Sequence, residues 1–534
     1  MRIAVEGCCH GELDKIYETL QHLETREQTQ IDLLICCGDF QAVRNYDDLT
    51  CLACPDKYKQ LNTFWKYYSG AATAPYLTVF IGGNHEASNY LAELPFGGWV
   101  APKIYFLGNA GIVNFGGVRI GGLTGIFNQR HYRMGHFEVP PYTESSMRSA
   151  YHVRELDVWR LMQLRQPLDV FLSHDWPSRI ADHGNKAQLC RYKKFLAKEI
   201  MDGSLGSPPA AQLLKELQPA YWFSAHMHVK FPAVVPHAAP HASRASDQPA
   251  CTHFLALDKC LPGRGFLQVV DFPEASGPKE LCYDKEWLAV LRSTHRLMRM
   301  QQRQPPLPGH DLPFWATPSK GARRSVPPEQ TYVWQQPEDS QGLLDAAANL
   351  KAEWQSGGGQ RLGPPLKDLD AIEDAFKGRG SCTIPHNFQP TAPCHDPQGG
   401  QRRGSMPKSL PRNPQTLALL AMLGLPYNLD PPTDGRGFGN NHPAPAQANP
   451  EEIDLDAVSN GDAAAVNPEE IDLDGLEEPP DAGAAEANPE EIDLDGLDEP
   501  LDAGAAETNP EEIDLGEVDE DESPSDKLTD PRVF

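Results

Sequence analysis

Seven residues in five short clusters carry ligand chemistry: Cys8 with His10, Asp39, Asn84, His174, and His226 with His228. Thiolate, imidazole, carboxylate and amide oxygen are ligands for first-row divalent metals. A carboxylate such as Asp39 can bridge two cations through its two oxygens. The neutral oxygen of Asn84 limits the total negative charge. In Cys8-x-His10 and His226-x-His228, alternation along an extended backbone would place both side chains of a pair on one side. One histidine after a strand carries little meaning. Five clusters in matching structural contexts imply a metal centre.

Those contexts are short apolar runs. Residues 2–5 lead to Gly7, residues 32–37 to Gly38, and residues 76–81 to Gly82 and Gly83. Residues 168–172 and 221–223 are each followed within three residues by a histidine. Runs that are apolar throughout predict strands buried on both faces. In α/β sheets, ligand sites form outside the carboxyl ends of strands, so the five clusters should converge. Leu13, Ile16, Leu20 and Leu23 recur at helical spacing and predict a helix over residues 13–25. The alternation of strands and helices predicts an α/β layered domain over residues 1–235. Residues 236–430 read as a smaller, partly ordered region. It has strand character over 254–272, helices over 287–300, 343–354 and 366–376, and an irregular Pro-rich stretch over 305–337.

The formal net charge of -27 is unevenly placed. Residues 449–534 hold 31 Asp and Glu against 2 Lys and Arg, which leaves 43 acidic and 45 basic residues in 1–448. The front of the chain can therefore bind a polyanion. The motif Asn-Pro-Glu-Glu-Ile-Asp-Leu begins at Asn449, Asn467, Asn488 and Asn509, and the sole aromatic after Asn449 is Phe534. Such a composition cannot offset its ordering entropy, which predicts a disordered acidic tail over residues 431–534. Its repeats suit multivalent binding of protein partners.

Several other features read as structural. Cys9, Cys36 and Cys37 sit among apolar residues and are expected to be buried small hydrophobes rather than ligands. With no signal-peptide h-region and no run of 18 apolar residues, no membrane helix is expected. The cysteine placement points to a reducing compartment, nucleus or cytosol. His237, His241 and His253 read as loop residues. The pairs Arg323-Arg324 and Arg402-Arg403 are shorter than the usual basic import run. Residues 127–154 interleave Arg130, Arg133, Arg148 and Arg154 with His131, Tyr132, His136, Phe137, Tyr142 and Tyr151. That mixture suits phosphate contact plus base stacking. The competing reading is a packed loop whose aromatics cover the core.

The order Asp-x-His, Gly-Asp, Gly-Asn-His-Glu, a single His, then Gly-His-x-His is the signature of the calcineurin-like metallophosphoesterase family, which this chain resembles. It departs at two positions: Cys8 stands where Asp is usual, and Ala225 replaces the last Gly. Cysteine at the first position resembles the RNA lariat debranching enzymes. So do Cys-Gly-Asp-Phe-Gln-Ala-Val-Arg-Asn, Ser-His-Asp-Trp-Pro, Ser-Ala-His-Met-His-Val-Lys and Phe-Leu-Ala-Leu-Asp-Lys-Cys-Leu-Pro. The resemblance covers roughly residues 1–425 and is strongest before Phe272.

That resemblance implies a layered β-sandwich flanked by helices, with a recognition loop at about 124–154. Its RNA contacts would come from Arg130, Tyr132, Arg133, Phe137, Tyr142, Arg148 and Tyr151. One metal would take Cys8, His10, Asp39 and His228; a second would take Asp39, Asn84, His174 and His226. A soft thiolate favours Fe(II), Zn(II) or Mn(II) over Mg, with one or two ions per site. Metal-activated water would attack the 2′–5′ phosphodiester at an intron branchpoint, with His85 as general acid. The partner would be lariat RNA, without DNA or membrane. The place would be the nucleus, with shuttling to the cytoplasm, and the role mRNA processing and intron turnover. Another metallophosphoesterase, such as a phosphoprotein phosphatase or nucleotide phosphodiesterase, is disfavoured by Cys8 and the basic insertion. A non-catalytic scaffold has no need of His85 or a full ligand set.

Overall fold

The apolar runs form strands whose alternate residues face two different cores. In β1 (Arg2–Glu6), Ile3 and Val5 join one buried cluster and Ala4 the other. In β2 (Leu33–Cys36), Leu33 and Ile35 face the first, Leu34 and Cys36 the second. Burial of both faces explains why these runs carry no polar alternation.

The remaining strands are β3 (Thr78–Phe80), β4 (Gly98–Ala101), β5 (Ile104–Phe106), β6 (Ala110–Phe115), β7 (Val118–Leu123), β8 (Val170–Ser173), β9 (Tyr221–Ser224), β10 (Phe231–Pro236), β11 (Cys251–Ala256), β12 (Leu267–Asp271) and β13 (Cys282–Tyr283). They build a six-stranded sheet, β12-β1-β2-β3-β5-β4, and a seven-stranded sheet, β10-β11-β9-β8-β7-β6-β13. The centre of each is parallel: β1, β2, β3 and β5 in the first, β7, β8, β9 and β11 in the second. Antiparallel strands close the edges. Val113, Ile120, Val170, Leu172 and Phe223 of the second sheet join Ile3, Val5 and Ile35 of the first in one buried cluster. This is the interior of a β-sandwich. The helix Leu13–Glu27 lays Leu13, Ile16, Tyr17 and Leu20 on the outer face of the first sheet.

The structure, a computed structural model, describes residues 1–237, 251–304, 307, 364–377, 381–399 and 404–431. The helix expected over 343–354, almost all of the Pro-rich stretch, His241, both short basic pairs and the tail from 432 onward lie outside the described residues.

Three expectations change in detail. The division expected at residue 235 falls inside an antiparallel ladder, because β10 pairs with β11 and β11 with β9. Strand β12 likewise pairs with β1, so both sheets use residues beyond 250. The helix expected over 287–300 runs Lys285–Thr294 and tightens into a 3₁₀ turn at His295–Leu297. His253 lies within β11 rather than in a loop, and His237 bonds Thr252 Oγ1 at 2.7 Å.

The C-terminal described segments are fastened to the first sheet. Gln415 accepts from Trp99 N and donates to Trp99 O, both at 2.8 Å, so a side chain satisfies the edge strand β4. Buried Arg44 holds Asp48 and Glu93 and also reaches Thr391 Oγ1 at 3.0 Å.

Candidate metal centre

The five clusters converge at the carboxyl ends of β1, β2, β3, β8 and β9. The pairs do not face one way through extended alternation. His10, Asp39, His226 and His228 have φ of 44°, 47°, 67° and 47°, the left-handed region. Non-glycine residues rarely adopt it, at a cost of about 1–2 kcal/mol each. Strain of this kind collects at functional sites. Here the loops after β1, β2 and β9 turn sharply, which lets His226 and His228 serve different halves of the site. Two glycines permit the crowding. A Cβ at Gly38 would lie 2.3 Å from His174 Nδ1, and one at Gly83 would lie 2.2 Å from Asp39 Oδ1.

Asp39 divides the centre. On its Oδ2 side, the ligand atoms of Cys8, His10, Asp39 and His228 all lie within 4.8 Å of one another. His10 Nε2 and His228 Nε2 face each other at 3.2 Å. Cys8 Sγ accepts the His226 N–H at 3.1 Å, the acceptor role a ligating sulfur needs. On its Oδ1 side, His174 Nε2 is 3.3 Å away and also 3.2 Å from Asn84 Oδ1. The His226 ring stands 5.0 Å from that of His174, centroid to centroid. His174 Nδ1 must donate to the Cys37 carbonyl at 2.8 Å. In the neutral ring, Nε2 then offers a lone pair toward two oxygens. Lone pairs converging on each side of one carboxylate is an arrangement a cation relieves, and the donor types fit a divalent metal.

Burial would lower the His174 imidazole, but the Asp39 carboxylate raises it above its usual value, so a metal must displace a proton from its Nε2. Burial alone would raise the Asp39 carboxyl, yet His174, His85 and His10 hold it well below the usual carboxylate range. Burial, together with His10, Lys259 and Lys193, pushes His228 well below the usual imidazole value, toward the neutral form that ligates metal. His10, partly exposed, marks the mouth of the site. Cys9, Cys36 and Cys37 are fully buried, as expected, and burial keeps their thiols protonated.

His85 is not among the clustered ligand atoms. Its backbone N–H donates to Asp39 Oδ1 at 2.9 Å, and its Nδ1 donates to the Ala53 carbonyl at 3.1 Å. Its ring lies 5.8 Å from that of His10. With Nδ1 held by the Ala53 carbonyl, proton exchange falls to Nε2.

Glu86, the last residue of the Gly-Asn-His-Glu motif, carries no role that its residue type alone reveals. Its buried carboxylate accepts from Phe40 N, Gln41 N and Gly83 N at 2.7, 2.9 and 3.0 Å, stapling the Asp39 loop to the Asn84 loop. Burial and the nearby Asp39 carboxylate push its pKa up to about 7. Glu86→Ala should leave three buried donors unpaired, at about 1–3 kcal/mol each. We expect a lower urea midpoint together with weaker metal uptake. An unchanged midpoint would show that the loops hold without the staple.

The insertion borders the Oδ1 half: Phe127 N donates to Asp175 Oδ2 at 3.3 Å, beside His174. Its interior is more packed than a stacking surface requires. Tyr132, Tyr142 and Tyr151 are buried, whereas Arg130 is exposed and Arg133, Phe137 and Arg148 are half-buried. Arg154 is fully buried on Glu138 and the Ser149 and His131 carbonyls. Tyr142 and Tyr151 instead line a cavity of about 270 Å³ next to Gly83 and Glu86, with His136, Asn109 and Tyr427.

A two-sheet sandwich with this site defines a metallophosphoesterase, and the calcineurin-like phosphoesterase family matches residues 1–230. The C-terminal domain of lariat debranching enzymes matches residues 249–428. Lariat debranching enzyme A of Xenopus laevis is 49% identical over 426 residues, covering 80% of this chain and 70% of its own. The lariat debranching enzymes of Mus musculus and Arabidopsis thaliana are each 47% identical across 80% of this chain, and 68% and 88% of theirs. The chain belongs to the lariat debranching enzyme family.

Proposed function

We propose that this protein hydrolyses the 2′–5′ phosphodiester bond at the branchpoint of excised intron lariat RNA, opening the lariat for turnover. The observation that carries the reading is the buried group of Cys8, His10, Asp39 and His228 in a chain of this family. Cys8, His10, Asp39 and His228 would hold one ion; Asp39, Asn84, His174 and His226 would hold a second. A bound divalent cation supplies charge neutralisation at the phosphoryl oxygens and acidifies water. The chain's own residues do the rest. Asp39 offers one oxygen to each half, Glu86 fixes the loops, and the Ala53 carbonyl orients His85. A water oxygen forms the new bond to phosphorus as the bond to the 2′ oxygen breaks, and His85 Nε2 gives its proton to that departing oxygen, leaving a 2′-hydroxyl and a 5′-phosphate. The test is incubation of purified protein with RNA carrying one 2′–5′ branch beside a linear control. Cleavage of the linear strand at equal rate would overturn the reading.

The ions we infer are Fe(II), Zn(II) or Mn(II), because a thiolate ligand suits them better than Mg. Cys8→Asp should move the preference toward Mn and Mg, read by reconstituting metal-free native and variant protein with each ion. An unchanged ranking would mean that Cys8 does not touch the metal. We place the protein in the nucleus, with shuttling to the cytoplasm, and assign the Asn-Pro-Glu-Glu-Ile-Asp-Leu repeats to protein partners. Deleting residues 449–534 should therefore leave debranching by the purified enzyme intact. A large fall in turnover would give the repeats a catalytic or folding role.

A further inference from the structure

The Oδ2 half of the centre is bordered by a different surface. Cys8 N donates to Asp258 O at 3.2 Å, and Cys260 N to Cys8 O at 3.2 Å, so the loop after β11 runs beside the metal-side sulfur. Further along that loop, Arg264 donates to the Tyr192 hydroxyl at 2.8 Å. The stem of Lys230, two residues past His228, lies against Gly265. Lys193 sits between two rings, 5.5 Å from the centroid of Tyr192 and 5.9 Å from that of Phe195. Between residues 186 and 198 there are five Lys and Arg and no Asp or Glu; Lys186 pairs with Asp182 and Arg264 with Asp258, so the positive charge of this surface rests on Arg191, Lys193, Lys194 and Lys198.

Local packing explains why the segment faces outward. Leu189, Leu196 and Ile200 are buried and anchor the helix Lys186–Tyr192 and the turn and helix after it. Arg191, Tyr192, Lys194, Phe195 and Lys198 are left exposed. A surface with a single exposed ring is ordinary. This one shows Tyr192 at 42% and Phe195 at 46% of their full accessibility. Exposed rings interleaved with cations are the composition that binds single-stranded nucleic acid: rings stack on bases and cations neutralise phosphates. A branched RNA has three strands leaving one nucleotide. The insertion borders one half of the centre, and a different surface borders the other.

We propose that the ridge of Arg191, Tyr192, Lys193, Lys194 and Phe195, continued by Arg264 and Lys230, binds one single-stranded arm of the branched RNA where it leaves the Cys8 and His228 side of the metal centre. This rests on the debranching reading above. An arm that reaches the ridge gains stacking and charge contacts; one too short does not. The ridge therefore makes affinity depend on the length of one arm.

The test uses the full-length, metal-loaded protein and branched RNAs in which each arm in turn is lengthened from one nucleotide to several. Native KM should fall as one of the three arms grows. Tyr192→Ala/Phe195→Ala should flatten that dependence, raising KM for the long-arm substrate roughly fivefold to 150-fold for each stacked base lost. Arg191→Ala/Lys194→Ala should lower the salt slope of linear single-stranded RNA binding by about 0.7 per cation removed. Lys103→Glu, on an exposed turn elsewhere, serves as a charge control. Length dependence retained in both ridge variants overturns the proposal, and so does an equal loss at every arm length with a lowered melting temperature. Binding of an Asn-Pro-Glu-Glu-Ile-Asp-Leu peptide in place of linear RNA would make the ridge a peptide site and also overturn it. If native protein binds linear RNA but leaves every branched RNA uncut, the debranching reading fails, and the salt-slope comparison still decides the ridge.

Discussion

Replacing His85 with alanine is expected to lower turnover of branched RNA by about a hundredfold to ten-thousandfold, the usual contribution of a general acid. Metal content should stay at the native level. The two halves of this expectation come from different atoms. The backbone N–H of His85 bonds Asp39 Oδ1, and that contact survives removal of the side chain. The imidazole is tied through Nδ1 to the Ala53 carbonyl and stands apart from the clustered ligand atoms. Its loss therefore removes a proton donor without removing a ligand. The measurement pairs single-turnover cleavage with elemental analysis of the same sample. Loss of metal from the variant would make His85 a ligand instead.

Asp39→Ala should do the reverse and remove the metal along with the activity. One oxygen of Asp39 faces His174 and the other faces His10, at 3.3 and 3.9 Å, so a single side chain serves both halves. Ligand-supporting residues alone typically change metal affinity by about 10–100-fold. A shared ligand should exceed the upper end of that range. The variant also leaves His10, His85 and His174 without the carboxylate they surround. We expect calorimetric titration to show metal binding weakened by more than about a hundredfold. Circular dichroism should show the sheets retained, because Asp39 lies in a loop after β2. Native metal content in a folded variant would refute the shared-ligand arrangement.

The strands that carry the ligands were legible because each is a short apolar run stopped by glycine or by a ligand. The centre of both sheets follows from that pattern. The strands between residues 98 and 123 were not, for two physical reasons. Strands β4 and β5 are four and three residues long, and β7 contains Gly121 and Gly122, which weaken any apolar signal. Ligand identity was readable from residue type, but ligand direction was not. Composition reveals nothing of a positive φ at His10 or His228. The insertion shows the same limit from the other side. Its alternation of arginine and aromatics is compatible with a stacking surface and with a packed loop. Burial of Tyr132, Tyr142 and Tyr151 supports packing for those three rings. The segment from Arg191 to Phe195 has the same composition, but its helices turn the rings outward.

The bonds between Cys8 and the loop at Asp258 and Cys260 bear on how the protein is made. The first ligand and the last, Cys8 and His228, are separated by most of the catalytic chain, and the strands that seat them close only when β11 and β12 join the sheets. At a synthesis rate of about 5–20 residues per second, roughly 10 to 40 seconds pass between translation of these two ligands. During that interval, the nascent chain carries Cys8 and Cys37 without the second sheet that buries them. Oxidation or a stray metal on the ribosome would strike the protein before its own ion can be caged. Reducing conditions during translation should therefore raise the yield of active enzyme.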